Sequence, residues 1–154
     1  MPSQTDSLQR QVQINAPRAK VWHALTTAEE FGNWFGVNFK GQSFVIGQNT
    51  RGQITYPGYE HMTMDILIDR IEPQTLFSFR WHPYAIDISK DYSREERTLV
   101  VFELKDADGG TLLTVTESGF DKIPPERRLE AFRMNGNGWT AQMENINKHV
   151  TAQA

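Results

Sequence analysis

The sequence contains no cysteine among its 154 residues. This absence excludes disulfide bridges, thiolate zinc sites, cysteine nucleophiles and iron–sulfur clusters held by thiolates. A chain of this length is typical of one domain and buries roughly 68–70% of the surface that its unfolded form exposes. We therefore expect a single domain that folds without a covalent or metal crosslink.

The sequence also lacks an excess of positive charge and any long apolar run. Lys and Arg total 16 against 19 Asp and Glu, for a net charge of −3, so no basic surface is expected to follow a phosphate backbone. The apolar runs are far shorter than the roughly 20 residues that cross a bilayer. Residues Met1–Gln11 are polar and contain no signal-peptide core. These absences predict a cytoplasmic protein that binds neither nucleic acid nor a membrane.

The common catalytic and nucleotide-binding motifs are missing as well. Neither GxGxxG, GxxxxGK(S/T), HExxH nor GxSxG occurs. The histidines His23, His61, His82 and His149 are scattered without the spacing of metal ligands. The Asp-Ala-Asp-Gly-Gly segment at 106–110 suits a hairpin turn better than a calcium loop. We therefore expect neither a metal nor a cofactor.

Alternating apolar and polar residues predict a series of strands. These are Leu8–Asn15, Val37–Ile46, Thr50–Tyr56, His61–Ile71, Leu76–Trp81, Thr98–Leu104 and Thr111–Ser118. Two short helices are expected after the first strand: one begins at Pro17, and the other begins at a capping box, Thr27 with Glu30, and ends at Gly36. The aperiodic segment His82–Arg97 is predicted to be a long exposed loop.

The last segment has the apolar spacing of a helix. Its stripe consists of Leu129, Phe132, Trp139, Met143, Ile146 and Val150. The sequence Asn135-Gly-Asn-Gly138 inside it is a turn signal, which leaves two helices as an alternative. The apolar phase continues across it, so one long helix is preferred.

This order of elements predicts an α+β fold, because consecutive strands with short links form an antiparallel sheet and the helices lie apart from them. The C-terminal helix is the element long enough to cover the apolar face of a curved sheet. We place a single domain at residues 8–150, with flexible termini at 1–7 and 151–154.

Aromatic and methionine side chains are expected to converge between the sheet and this helix. A straight helix on a curved sheet leaves space for an apolar cavity, while a packed core is the alternative, favoured for Phe102 and Phe132. The candidate ligand-binding residues are Trp34, Met64, Ile66, Phe79, Trp81, Phe102, Glu117, Phe132, Trp139 and Met143.

Glu117 is the polar residue of this set. It continues the inward phase of Leu113 and Val115, and burial raises the pKa of a carboxyl group that has no partner. Glu117 is therefore the candidate catalytic residue. The alternative is a structural position, at the rim of the sheet or paired with Arg97 or Arg133.

Several segments together resemble the family of activator-of-heat-shock-protein-90-ATPase homologues. They are Val21–Phe35, Phe79–Pro83, Gly110–Phe120 and Gly138-Trp139, and the resemblance extends over about residues 8–150. It implies a helix-grip fold of the SRPBCC, or START-like, superfamily, in which an antiparallel sheet wraps around a long C-terminal helix beside an apolar cavity. Relatives often carry a histidine where Glu117 stands.

The resemblance leaves three functions open. The first is binding of a small apolar molecule, aromatic or lipid-like, and it is favoured over catalysis. The second is a cyclase or hydratase that uses Glu117, with Tyr56, Tyr84 or Arg97 as its polar partner. The third is interaction with a chaperone, in a stress response; the chain has no room for the additional N-terminal domain of the family's chaperone activator. The protein is expected to be a monomer or a homodimer.

Overall fold

The computed structural model describes residues 6–83 and 91–152. In chain order the elements are β1 (Ser7–Ile14), α1 (Arg18–Thr26), α2 (Ala28–Phe35), β2 (Val37–Asn38), β3 (Asn49–Ile54), β4 (Thr63–Glu72), β5 (Leu76–Trp81), β6 (Thr98–Ala107), β7 (Gly110–Ser118), a short 3₁₀ turn (Phe120–Lys122) and α3 (Pro125–Ala152). Strand β1 begins one residue before the predicted domain, and α3 ends two residues after it.

The described strands form one antiparallel sheet of seven strands in the order β1-β7-β6-β5-β4-β3-β2. Neighbours from β2 to β7 follow each other along the chain, whereas β1 pairs with β7 from Ser7–Ser118 to Ile14–Thr111. Helices α1 and α2 therefore carry the chain from one edge of the sheet to the other. This arrangement confirms the predicted α+β class and the antiparallel sheet.

The hairpin between β6 and β7 has a tighter turn than the sequence suggested. Its two turn residues, Asp108 and Gly109, both have positive φ, 50° and 79°. Such a type I′ turn matches the twist of the flanking strands, so pairing continues to Ala107 and Gly110. The hairpin is long enough to place Glu117, near the end of β7, at the far end of the sheet.

Helix α3 is one continuous helix of 28 residues, as preferred above. Gly136 faces β1, where a Cβ atom would lie 2.9 Å from Nη2 of Arg10. The glycine therefore allows the arginine to cross the helix and donate from Nε to Thr140 Oγ1 at 2.9 Å. The turn signal thus has a packing origin at Gly136, whereas Gly138 has no neighbour within 4 Å of such a Cβ.

The apolar stripe of α3 differs from the predicted one at its start. Leu129 is 71% exposed, and Ala131 is buried instead. Leu129 lies ten residues before Trp139 and hence about 80° away from it around the helix. That direction points to solvent, so the prediction for Leu129 was wrong, whereas the stripe from Trp139 to Val150 is buried.

The predicted capping box at the start of α2 does not form. Thr27 is the N-cap residue, but its side chain makes no capping hydrogen bond. The Glu30 carboxylate contacts two histidines instead: His23 on α1, and Nε2 of His149 on α3 at 3.0 Å. Tertiary contacts thus override the local pairing and join three helices. Gly36 ends α2 with a φ of 98°, as predicted.

The predicted strand at Val37–Ile46 is largely absent. Only Val37–Asn38 pairs with β3, and residues 39–48 are irregular. Gly41 and Gly47 have φ values of 78° and 83°, which a strand does not allow. Of the predicted loop His82–Arg97, residues 84–90 lie outside the described residues, and residues 91–97 contain neither helix nor strand.

Candidate functional site

Glu117 lies on the inner face of β7 and is completely buried, with 0% of its surface exposed. The alternation of the strand places Leu113, Val115 and Glu117 on this face, since all three are buried while Thr114 and Thr116 are half-buried. The inward orientation that the strand pattern predicted is therefore confirmed. The next residues of the chain, from Gly119, leave the sheet toward α3.

Four side chains from three elements donate hydrogen bonds to the Glu117 carboxyl group. The Nε1 atom of Trp139 lies 2.8 Å from Oε1, and the Nε1 atom of Trp81 lies 2.8 Å from Oε2. The Thr98 hydroxyl contacts Oε2 at 2.5 Å, and Asn135 Nδ2 lies 3.0 and 3.1 Å from the two oxygens. The carboxyl group therefore joins β5, β6 and α3.

All of these donors are uncharged, and among the described residues no cation pairs with Glu117. Neither Arg97 nor Arg133 contacts it, so the predicted ion pair does not form. Burial raises the pKa of Glu117, and the four hydrogen bonds lower it in part. The pKa of Glu117 is raised overall, because the cost of desolvating the charged form is larger than the stabilisation of that form by four neutral hydrogen-bond donors.

The donors nevertheless suit an ionised carboxylate. The two indole N–H groups and the amide nitrogen can only donate, so a proton on Glu117 can be accepted only by the Thr98 oxygen. A carboxylate offers about four lone-pair sites, and four donors occupy them here. The four donors hold the carboxyl group in a fixed position and would satisfy its ionised form, although burial disfavours that form.

A pocket of about 90 Å³ lies against the donors of Glu117. It is lined by Phe35, Trp81, Asn135, Gly138, Trp139 and Gln142. The three aromatic rings meet one another there, at centroid separations of 6.0 Å for Phe35–Trp81, 5.9 Å for Phe35–Trp139 and 5.7 Å for Trp81–Trp139. Gly138 is exposed, so the pocket opens to solvent at the helix surface.

The structure brings together only part of the predicted site. Trp81 and Trp139 line the pocket, and Glu117 accepts a hydrogen bond from each. Trp34 is held elsewhere, because its Nε1 donates to Ala24 O at 2.9 Å. Phe132 packs against Phe120 at 5.2 Å between ring centroids.

The remaining candidates form part of the core. Met64, Ile66, Phe79, Phe102 and Met143 are all at most 6% exposed. The rings of Phe79 and Phe102 are 6.2 Å apart, and Phe102 also meets the indole of Trp139 edge-on. The aromatic side chains thus pack against one another where the sequence suggested an apolar cavity, and the pocket lies at the edge of this cluster.

Sequence reasoning missed five residues of the site. These are Phe35, Thr98, Asn135, Gly138 and Gln142. A signal existed for Asn135, which lies one helical turn before Trp139 and therefore on the same face of α3. It was hidden because Asn beside Gly was interpreted only as a turn signal.

The described residues contain neither a group of side chains placed to hold a metal ion nor a helix that could cross a membrane. Within residues 6–83 and 91–152, no group of three or more His, Asp and Glu side chains is placed to hold a metal ion. Over the same residues, no helix is long and apolar enough to cross a membrane.

Comparisons with known proteins agree on family and fold. The family model for "Activator of Hsp90 ATPase homolog 1-like protein" matches residues 15–151. Protein MLL2253 from Mesorhizobium loti is similar in structure, with a TM-score of 0.73 and 23% identity over 96% of this chain and 98% of the other. No protein of curated function matches the chain significantly in sequence.

Two further solved structures have the same fold at lower identity. Protein NE0264 from Nitrosomonas europaea has a TM-score of 0.74 and 16% identity, over 99% of this chain and 98% of the other. A protein from Arthrobacter aurescens has a TM-score of 0.75 and 15% identity, over 100% and 91%. These similarities confirm the helix-grip fold: a curved seven-stranded sheet with a long C-terminal helix and short helices after the first strand.

Proposed function

The chain belongs to the family of Activator of Hsp90 ATPase homolog 1-like proteins, and from that premise we propose that it binds a small molecule with an apolar surface. The proposed site is the pocket between α2, β5 and α3. The observation that carries the proposal is the meeting of three aromatic rings, Phe35, Trp81 and Trp139, around a solvent-accessible space. Such rings supply large contact areas for a ligand.

Gly138 supports this proposal because its presence has no packing reason. A glycine inside a helix costs about 1 kcal/mol relative to alanine. At Gly136 the close approach of Arg10 accounts for the glycine, but at Gly138 nothing lies within 4 Å of an added Cβ. A side chain at position 138 would occupy the space in front of Trp139. The glycine therefore keeps the pocket open.

The size of the pocket defines how much of a ligand it holds. Sites that enclose a whole drug-sized molecule measure about 300–1,000 Å³, whereas this pocket measures about 90 Å³. It therefore accepts one compact end of a ligand, while the rest of the molecule extends over the helix surface near Gly138 and Gln142.

Nuclear magnetic resonance of the indole N–H groups tests the proposal directly. Small aromatic and aliphatic fragments are expected to shift the signals of Trp81 and Trp139. The variant Gly138→Leu fills the pocket and is expected to weaken binding at least tenfold. Asn137→Leu, at an exposed neighbouring position outside the pocket, serves as the control and is expected to bind as the parent does. Equal binding by Gly138→Leu, or fragments that leave both indoles unshifted, would contradict the proposal.

The hydrogen bonds of Glu117 favour ligand binding over the cyclase or hydratase alternative. Its lone pairs are already engaged by four donors, which leaves little capacity for proton transfer to a substrate. Of its suggested partners, Tyr56 is 62% exposed, Arg97 makes no contact with Glu117, and Tyr84 lies outside the described residues. A chaperone interaction rests on the family name alone, whereas the pocket supplies named residues.

A further inference from the structure

The polar nitrogen atoms that line the pocket all donate to atoms of the protein. The nitrogens of Trp81, Trp139 and Asn135 donate to Glu117. Nε2 of Gln142 donates to the Phe35 carbonyl oxygen at 2.8 Å. Four of the six lining residues carry a side-chain N–H group, and the nitrogen of each already donates within the protein.

The groups that remain available to a ligand include the aromatic rings and an amide oxygen. Asn135 has to direct Nδ2 at Glu117, because a carboxylate oxygen accepts and does not donate. Its Oδ1 therefore lies on the other branch of the amide, and no hydrogen bond within the described residues uses it. Aromatic faces carry partial negative charge, so the lining complements a ligand that is positively charged or rich in donors.

In its ionised form, the buried Glu117 carboxyl group adds negative charge behind the rings. Both indoles donate from Nε1 to Glu117 at 2.8 Å, and such a contact to a carboxylate increases the electron density of the ring. Because all donors to Glu117 are uncharged, no positive charge within the described residues neutralises it at the site. The attraction of a cation to an aromatic ring acts within about 6 Å of the ring centroid, and the pocket is lined by the rings of Phe35, Trp81 and Trp139.

We propose that the pocket binds a compact organic cation, a quaternary or protonated amine, as the polar end of its ligand. This inference rests on the proposed function, since it names the chemical class that the same pocket selects. The apolar surface of an alkylammonium group packs against Phe35, Trp81 and Trp139, and its charge is attracted by the rings and by Glu117. A protonated amine can in addition donate to Asn135 Oδ1.

A pair of probes with nearly the same shape separates charge from apolar contact. Choline carries a trimethylammonium group, and 3,3-dimethyl-1-butanol carries carbon in place of the charged nitrogen. Each is titrated into the full chain at constant ionic strength, and the indole N–H signals of Trp81 and Trp139 are followed. We expect choline to bind at least tenfold more tightly than the alcohol, which corresponds to about 1.4 kcal/mol.

Two variants and one control test whether choline binds in the pocket and whether the charge of Glu117 contributes to its affinity. Gly138→Leu is expected to abolish the response to both probes, whereas Asn137→Leu retains it. Glu117→Gln is expected to weaken choline binding severalfold more than binding of the alcohol, because it removes the negative charge with little change of shape.

The outcomes also distinguish this inference from the proposed function. Equal affinity for choline and the alcohol overturns the cation inference and leaves the binding function in place. The same holds if neutral fragments shift the two indoles and choline does not. If neither the probes nor any fragment reaches the indoles, the proposed function fails and this inference fails with it.

Discussion

Glu117 and Glu95 are both largely removed from water, but their charges are balanced in different ways. Glu95 forms an ion pair with Arg127, with 2.6 Å between Oε1 and Nη2, and their side chains are only 10% and 11% exposed. Arg127 also donates to the Pro83 carbonyl oxygen at 2.8 Å and lies over the Tyr92 ring. Glu117 is held by neutral donors alone within the part of the chain that the structure describes.

The difference shows which region serves structure and which one retains a charge. The Glu95 region cancels its charge locally and attaches the segment before β6 to the start of α3. In the Glu117 region no cation among the described residues balances the carboxyl group, which lies behind a pocket lined by aromatic rings. Buried ionisable groups without a charged partner are costly and are concentrated at functional sites, so the contrast favours the Glu117 region as the functional one.

Removal of an indole at the Glu117 region is expected to have the largest effect. Trp139→Ala should lower the free energy of unfolding by about 3–5 kcal/mol, as for other buried aromatics, because Trp139 is 2% exposed and contacts Phe102. Urea denaturation measures the loss. Trp139→Phe keeps most of the ring and removes the N–H group, and is expected to cost about 1–3 kcal/mol. A loss below 1 kcal/mol for Trp139→Ala would show that the region is loosely packed.

Breaking the ion pair tests the other side of the comparison. Arg127→Ala leaves Glu95 without its guanidinium and is expected to cost about 3 kcal/mol, at the low end for a buried pair because some water reaches it. Chemical denaturation checks this value. Arg133→Ala, an exposed arginine of the same helix, is the control and should change stability by less than about 0.5 kcal/mol. Equal losses in both variants would remove the distinction.

Glu117→Gln probes the carboxyl group with little change of shape. The new amide nitrogen must face one of the donors that now contact Glu117, so one buried donor loses its acceptor. We expect a loss of about 2 kcal/mol, within the usual range for an unsatisfied buried group. Glu103→Gln, exposed on the neighbouring strand β6, provides the control. An unchanged or higher stability for Glu117→Gln would mean that Glu117 is already protonated at the pH of the measurement.

The raised pKa of Glu117 predicts a pH dependence that Glu117→Gln lacks. Between its ordinary value of 4.5 and the raised value, the folded state binds a proton that the unfolded state has released. The parent chain should therefore lose stability relative to the variant as pH rises through this window, by at most about 1.4 kcal/mol per pH unit. Denaturation of both proteins from pH 4 upward measures how their difference in free energy of unfolding changes with pH. If the parent chain gains stability relative to the variant as pH rises, the pKa of Glu117 is lowered and not raised.

The two glycines of α3 give the smallest and most local test. Gly138→Ala should raise the free energy of unfolding by about 0.5–1 kcal/mol, because alanine favours the helix and nothing obstructs its Cβ. Gly136→Ala should lack this gain, since Arg10 Nη2 lies 2.9 Å from the new atom and has to move away. Thermal denaturation of both variants provides the comparison. An equal gain at both positions would show that the approach of Arg10 does not account for Gly136.

The fold could be predicted well because its signals are periodic. The alternation in β4 to β7 and the helical stripe from Trp139 to Val150 survive in the structure, since each buries one continuous apolar face. One failure occurred where a local motif competes with a distant contact. Glu30 contacts His23 and His149 rather than Thr27. The predicted strand Val37–Ile46 failed for a local reason, because Gly41 inside it has a positive φ.

The site was predicted only in part. The strand phase was sufficient to place Glu117 inward, and the helix phase was sufficient to place Trp139 on the face that meets the sheet. Neither could show that Trp81, Thr98 and Asn135 direct their donors at one carboxyl group, because these residues come from three elements. The same reason explains why a cavity was expected where aromatic side chains pack together.

The sequence by itself determined the α+β class, the single C-terminal helix and the inward direction of Glu117, because periodicity and order along the chain are local properties. The family was indicated separately, by the resemblance of particular segments. Tertiary structure alone decided which residues meet. It placed Phe35 beside Trp81 and Trp139, satisfied Glu117 without a cation, and left open space at Gly138 but not at Gly136. Contacts of this kind depend on how a twisted sheet approaches a helix, and the residue spacing within one element does not specify that approach.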